Sequence, residues 1–192
     1  TPASEGMKGA YERALALHKE IKNSFIPSQF ENLANKFAHR ENTAVEILND
    51  LDGKIDYFVA GFGTSGTISG VGEVLKEKFA DKVKIIAVEP AASPLLSEGK
   101  AGGHKIQGIG ANFIPKILNQ SVIDEIQTIS NEDAIATARE LALKNGLMVG
   151  ISSGANVFIA SKIAKANPDK IIVTMLNDTA ERYLSTDLFA GI

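Results

Sequence analysis

Apolar residues along this chain recur at two alternating periods. Met7, Ala10, Ala14, Leu17 and Ile21 fall three or four apart, the spacing of one helix face, after an entry in which Ser4 is a candidate N-cap. The pattern breaks over residues 23–32, where Phe25-Ile26-Pro27 and Gln29-Phe30 are apolar for a loop and imply packing between elements. A second helix is expected over 33–51, bent near His39 and ended by Asp52-Gly53. Asp56-Tyr57-Phe58-Val59-Ala60 then reads as a buried strand, and Ile68, Val71, Val74 and Leu75 restore helical spacing as far as Phe79. Lys84 to Glu89 is the next strand, followed by a long irregular stretch over 90–110 and a strand over 122–128. Ser130-Asn131-Glu132-Asp133 caps a helix carrying Ala134, Ile135, Ala138, Leu141 and Ala142 inward, which stops at Asn145-Gly146. A short strand over 147–151, a helix to about Ala166 and a buried strand over 170–176 complete the pattern. Strands alternating with helices predict an α/β fold: a doubly wound, mostly parallel sheet flanked by helices.

The most informative junction is the one after the first strand. Gly61-Phe62-Gly63-Thr64-Ser65-Gly66-Thr67 packs three glycines and three hydroxyl residues between a strand and a helix start. Such a turn presents unpaired amides and the positive end of a helix dipole to an anion. Two ligands compete for it. Gly61, Gly63 and Gly66 fit G-x-G-x-x-G, and Glu89 closes the next strand where a dinucleotide fold places its ribose-binding acid. Thr64, Ser65 and Thr67 suit instead a terminal phosphate monoester, whose exposed oxygens take several donors. The third reading is a tight packing turn with no ligand. In a doubly wound sheet, residues 150–154 and 177–179 meet this loop outside the strands' carboxyl ends. Gln107-Gly108-Ile109-Gly110-Ala111-Asn112 has the glycines of a backbone wall or of a plain turn.

Composition narrows the partners. A net charge of −3 argues against nucleic acid. The absence of cysteine removes disulfides, thiolate catalysis and thiolate metal sites, and fits a cytoplasmic protein. His18, His39 and His104 lie too far apart for a metal motif, so no metal is expected. No apolar run has membrane-spanning length and no signal peptide opens the chain. Thr1 stands where a mid-chain residue would, so a fragment is expected.

GFGTSGTISG (61–70), QGIGANFIP (107–115), GISSGA (150–155), ERYLST (181–186), TPASEGMKGA (1–10) and QFEN (29–32) together resemble the cysteine synthase (O-acetylserine sulfhydrylase) family of fold-type II pyridoxal-phosphate enzymes. Cystathionine β-synthase, threonine dehydratase and threonine synthase match these stretches less closely. The resemblance covers the whole chain in motif order and corresponds to the C-terminal two-thirds of such an enzyme. Residues 1–28 would be a remnant of the N-terminal domain and 29–192 the cofactor-binding α/β domain. It implies that Gly63, Thr64, Ser65, Gly66 and Thr67 cradle the phosphate of pyridoxal 5′-phosphate, that Gln29 helps hold the substrate carboxylate, and that Gly108 and Ile109 line the open side. The implied reaction is β-replacement, O-acetylserine and sulfide giving cysteine and acetate. Implied partners are a second copy in a homodimer and the C-terminal tail of serine acetyltransferase.

The chain departs from the family twice. The Schiff-base lysine and the loop gripping the substrate carboxylate belong upstream of Thr1. Lys36, Lys54 and Lys100 sit in no matching context, so this chain alone should not catalyse β-replacement. Asn177-Asp178-Thr179-Ala180 replaces the usual Pro-Ser-x-Gly, whose serine meets the pyridine nitrogen. Either Asp178 takes that place and favours a protonated ring, or Thr179 takes it and Asp178 caps the next turn. Glu181-Arg182-Tyr183 reads as a structural network, His39-Arg40 as a solvated or interface pair, and His104 as a loop residue. Met7, Leu17 and Ile21 should face a segment outside this chain, leaving that stripe exposed, frayed or buried against a second copy.

Overall fold

The computed structural model describes residues 1–191. Its sheet has four strands, β1 (Tyr57–Gly61), β2 (Lys84–Pro90), β3 (Glu125–Ile129) and β4 (Ile172–Thr174), in the order β3-β2-β1-β4 and all parallel. Alternate side chains of the central pair face opposite layers, as the strand period of two requires. Phe58, Ala60, Ile85 and Ala87 meet α3 (Ala44–Asp50) and α4 (Gly66–Phe79) on one face. Val59, Ile86 and Val88 meet α6 (Asn131–Asn145) and α7 (Ile151–Ala166) on the other. The fold is therefore the expected doubly wound α/β sandwich. Among the described residues, no helix is long and apolar enough to cross a membrane.

The caps behave as their residue types dictate. Ser130 accepts the amide of Asp133 to start α6, and Gly146, at φ +69°, ends it in the left-handed conformation. A short helix, α5 (Leu95–Glu98), lies in the long irregular stretch.

Three expectations need correction. Residues 147–150 form no strand, and Ile151 is already the first residue of α7. The segment makes only an antiparallel bridge, Val149 to Thr179, held by Gly150 N–H to Asp178 O (3.1 Å) and Ala180 N–H to Met148 O (3.0 Å). Its neighbour runs antiparallel off the end of β4, so it cannot extend the parallel ladder. The last strand is shorter than 170–176 and only half-buried, because β4 is the sheet's edge. The third strand starts at Glu125, since Val122 belongs to a helical turn over Gln120–Val122.

The expected bend near His39 has a defined form. α2 (Leu33–Ala38) passes into a π-helical segment, His39–Thr43, where the Ala44 amide donates to the His39 carbonyl five residues back, and α3 follows. A π segment inserts one extra residue and re-aims the helix face. This stretch is clamped to α4 through Glu73, which accepts from Lys36 (2.9 Å), Arg40 (2.9 Å) and Asn119 (2.8 Å). Burial opposes ionisation of Glu73, but these donors outweigh it and hold its carboxyl below the usual carboxylate range.

α1 (Gly6–Glu20) buries no residue. Met7 is 48% and Ile21 53% exposed while Ala14 and Leu17 are half-buried, so the two ends of the apolar stripe lie open. Tyr11 ties it to the rest: it stacks on Phe113, meets Phe30 edge-on and donates its hydroxyl to Glu31 (2.9 Å). Of the apolar loop residues, Phe30 is buried and Phe25 is 82% exposed.

Gly70 of α4 marks a close approach of that helix to the stretch over 36–40. A Cβ there would stand 2.5 Å from the Lys36 carbonyl oxygen and 2.8 Å from the His39 Cβ. Gly70→Ala is expected to lower unfolding free energy by about 1–3 kcal/mol, as overpacking against backbone does, and urea denaturation measures it. An unchanged midpoint would refute the close packing.

Candidate active site

β1 ends at Gly61, and the chain must then turn under the sheet edge to start α4. Phe62 is buried and holds the turn down, its amide donating to Val88 O (3.3 Å) and its carbonyl accepting from Gly110 N–H (3.1 Å). Ser65 takes φ +72°, a left-handed conformation unusual outside glycine. Gly63 is compelled by space: a Cβ would lie 2.1 Å from the Gly108 carbonyl oxygen. Gly66 is compelled likewise, with Asn35 Oδ1 at 2.0 Å. Among the described residues, the amides of Gly63, Thr64, Ser65 and Thr67 have no backbone partner. They, with the first turn of α4, are donors waiting for an acceptor.

These donors surround a cavity of about 160 Å³ lined by Gly61, Gly63, Thr64, Ser65, Thr67, Gly108, Ile109, Ser152, Asn177 and Asp178. No cationic side chain lines it, so any anion there is held by amides and hydroxyls. The expected meeting of three segments is thus present: the loop, the start of α7 and the turn after β4. Gln107 to Asn112 form the wall that the alternate glycines suggested. A second cavity of about 700 Å³ adjoins it, sharing Gly63, Thr64, Gly108 and Ile109 and adding Gln29, Phe30 and His104. Gln29 therefore faces the larger space, away from the cup.

Several residues that brace the site escaped the sequence reading. Asn156 of α7 is fully buried and joins the ends of two strands. It accepts from Gly61 N–H (2.7 Å) and donates to Met175 O (3.0 Å) and Asn177 Oδ1 (2.9 Å). Ser153 Oγ accepts from Asn177 N–H (2.9 Å). His104, expected only as a loop residue, pins the glycine wall. Its Nδ1 accepts from Ile106 N–H (3.2 Å), which leaves the proton on Nε2 to donate to Gly110 O (2.8 Å). Asn35 donates to Thr64 Oγ1 (2.9 Å), and His39 Nε2 lies 3.2 Å from Thr67 Oγ1. His39, expected as half of a solvated or interface pair, is half-buried against the loop, and burial pushes its imidazole pKa below the usual value.

Asp178 and Thr179 separate clearly. The Asp178 carboxylate is tucked against Gly150, where a Cβ would meet Oδ1 at 2.1 Å. Its Oδ2 accepts the Tyr183 hydroxyl, while Oδ1 is buried with no donor. Burial and then the neighbouring Asp178 carboxylate push the Tyr183 hydroxyl's pKa up. Thr179 is exposed, and its hydroxyl donates to Glu181. Of the network read into Glu181-Arg182-Tyr183, Tyr183 is buried and bonded to Asp178, and Glu181 caps Thr179.

Glu89 does not await a ribose. It is fully buried, and its carboxylate accepts from Leu96 N–H (2.8 Å) and Ser97 N–H (3.1 Å) and from the Ser97 hydroxyl. The dinucleotide reading thereby loses its acid. Lysines are equally committed elsewhere: Lys36 pairs with Glu73 (2.9 Å) and Lys100 with Glu98 (2.8 Å), and Lys54 is exposed. No lysine lines either cavity, and no metal-binding cluster occurs among the described residues.

Comparison with known proteins agrees with this geometry. The family model described as pyridoxal-phosphate dependent enzyme matches residues 2–178. Cysteine synthase B of Campylobacter jejuni is 71% identical over 99% of this chain and 63% of its own. A probable cysteine synthase of Bacillus subtilis is 51% identical over 100% of this chain and 63% of its own. The chain thus spans under two-thirds of these relatives' length. Among solved structures, O-ureido-L-serine synthase superposes with a TM-score of 0.94 at 43% identity, covering 100% of this chain and 61% of that one. A hydrogen sulfide-producing enzyme of Fusobacterium nucleatum gives 0.91 at 44% identity, covering 96% and 62%.

Tyr183→Phe removes the donor to a half-buried carboxylate and should cost about 1–3 kcal/mol of stability, whereas Thr179→Ala, at an exposed position, should stay within about 0.5 kcal/mol. Urea unfolding of the two variants checks both, and equal effects would contradict the division of roles.

Proposed function

Because the chain belongs to the pyridoxal-phosphate dependent enzymes, we propose that its glycine-rich cup holds the phosphate of pyridoxal 5′-phosphate and that the whole protein makes cysteine and acetate from O-acetylserine and sulfide. The single observation that carries this is the cup itself. Unpartnered amides and the hydroxyls of Thr64 and Thr67 line a small cavity closed by two glycines that leave no room for a Cβ. The buried, unpartnered Ser65 hydroxyl lies in the same loop, and the donor set fits an acceptor-only phosphate. The names of the relatives support the substrate class.

When bound, pyridoxal phosphate supplies the electron sink that lets acetate leave the substrate's β-carbon. The chain's own residues do the rest of what can be assigned here. Gly63, Thr64, Ser65, Gly66 and Thr67 anchor the phosphate, and Gly108 and Ile109 wall the adjoining cavity. Gln29, at the far side of that cavity, can donate from its amide to a substrate carboxylate. At the ring end Asp178 lines the cup, held between Gly150 and Tyr183, whereas Thr179 lines neither cavity and its hydroxyl is engaged by Glu181. Of the two, Asp178 is therefore the side chain that a group bound in the cup would meet, and an ionised carboxylate there would favour a protonated ring nitrogen.

No lysine reaches either cavity, so the chain by itself should bind the cofactor without a covalent bond and turn nothing over. We read residues 1–28 as belonging with an N-terminal domain and 29–192 as the cofactor domain. The exposed Met7, Leu15, Ile21 and Phe25 support burial of that end against further protein, including a second copy in a homodimer. Docking of a serine acetyltransferase tail and a cytoplasmic setting belong to the same reading. The cysteine-free composition supports the latter.

Spectrophotometric titration with pyridoxal phosphate and with pyridoxal tests the phosphate anchor. Pyridoxal phosphate should bind one per chain, inorganic phosphate should displace it, and pyridoxal should bind at least about tenfold more weakly. Borohydride should leave the mass of the chain unchanged. Equal binding of pyridoxal would overturn the assignment of the cup.

A further inference from the structure

The hydroxyls of Thr64 and Thr67 can hold an anion only if their protons point into the cup. A hydroxyl carries one proton and two acceptor sites, so whatever lies behind it decides where that proton goes. Behind Thr64 stand two donors. Asn35 Nδ2–H reaches Oγ1 at 2.9 Å and Gly66 N–H at 3.4 Å. With both acceptor sites engaged from behind, the proton of Thr64 is left for the cavity. Asn35 is itself fixed by a second bond from Nδ2 to the Gln29 carbonyl (2.9 Å) and fits only because Gly66 has no Cβ.

Behind Thr67 stands an imidazole. His39 Nε2 lies 3.2 Å from Thr67 Oγ1, and His39 Nδ1 lies 2.9 Å from Thr43 Oγ1. The two tautomers have opposite consequences. With the proton on Nδ1, Nε2 is an acceptor and takes the Thr67 proton away from the cup. With the proton on Nε2, the imidazole donates to Thr67, whose own proton is then free for the ligand, and Thr43 donates to Nδ1. A phosphate accepts only, so it selects the second arrangement, in which every donor from Thr43 to the cup points the same way. Burial favours the neutral imidazole, the form whose tautomer Thr43 can set.

We propose that Asn35 and His39 are positioning residues that aim the hydroxyl protons of Thr64 and Thr67 at a bound phosphate monoester, with Thr43 setting the imidazole tautomer. The proposal rests on the reading of the cup as a phosphate site. The three residues lie on one helical stretch, part of it π-helical. Asn35, His39 and Thr43 follow one another at intervals of four, and the extra residue of the segment starts at His39 itself. The close packing at Gly70 brings the His39 Cβ against α4, which lets so short a side chain reach Thr67.

The test measures affinity for inorganic phosphate and for pyridoxal phosphate by calorimetry in six variants of the chain. His39→Leu should weaken both by about tenfold, the loss of one oriented donor to a charged acceptor. His39→Gln, whose Nε2 can donate where the imidazole did, should stay within about threefold of the unsubstituted chain. Thr43→Val, remote from the ligand, should weaken binding while Thr43→Ser restores it, which a merely structural role would not produce. Nitrogen-15 spectra of the imidazole with phosphate bound should place the proton on Nε2. A proton on Nδ1 overturns the relay whatever the variants do. His39→Leu binding as tightly as the unsubstituted chain, while Thr67→Val loses affinity, overturns the relay and leaves the cup intact. If Thr64→Ala and Thr67→Val also bind normally, the cup reading falls with it.

Discussion

Everything near the site depends on a close approach of two backbones. The Gly108 carbonyl oxygen comes so near Gly63 that a Cβ there would be 2.1 Å away. The contact sets the wall over residues 107–112 against the turn that follows β1. The Gly110 to Phe62 hydrogen bond and the His104 bonds keep it there. Once the wall is in place, the turn's amides cannot swing outward to solvent. They remain aimed into a small cavity, where an anion is the natural partner.

Support for that turn comes from both faces of the sheet. From one side α7 supplies Asn156, which crosses the sheet edge and joins Gly61 to the segment after β4. From the other, the stretch over 33–43 supplies Asn35 and His39 to the loop's hydroxyls, and Glu73 clamps the same stretch to α4. The cup has no positive side chain of its own. Its affinity must come from orientation, and orientation is what a buried brace provides. The Asp178–Tyr183 bond does the same for the start of α7, at the cost of one carboxylate oxygen left without a donor.

Much of this was legible along the chain. The strand over 57–61, the glycine-hydroxyl turn and the helix after it follow from local pattern, because glycine spacing and apolar period are local properties. So does the cap at Ser130. The failures have non-local causes. Residues 147–150 have strand composition, yet their neighbour runs antiparallel, which no periodicity reveals. Glu89 matches a ribose-binding acid by spacing, but the chain returns at Leu96 and Ser97 and consumes its carboxylate. His39 read as half of a solvated or interface pair, not as a partner of the loop. Its contact with Thr67 depends on a π segment and on the absence of a side chain at Gly70, two features separated by 31 positions (70 − 39) in the sequence. Asp178 and Thr179 were inseparable by composition, and only burial divides them.

The central claim is that the unpartnered amides of Gly63, Thr64, Ser65 and Thr67 are a phosphate site. Amide hydrogen–nitrogen spectra of the chain, recorded during titration with inorganic phosphate, test it most directly. Saturable shifts should centre on Gly63 to Thr67 and on the glycine wall at Gly108, with the apolar face of α1 unmoved. Shifts that fail to saturate, or that centre anywhere else, would contradict the account.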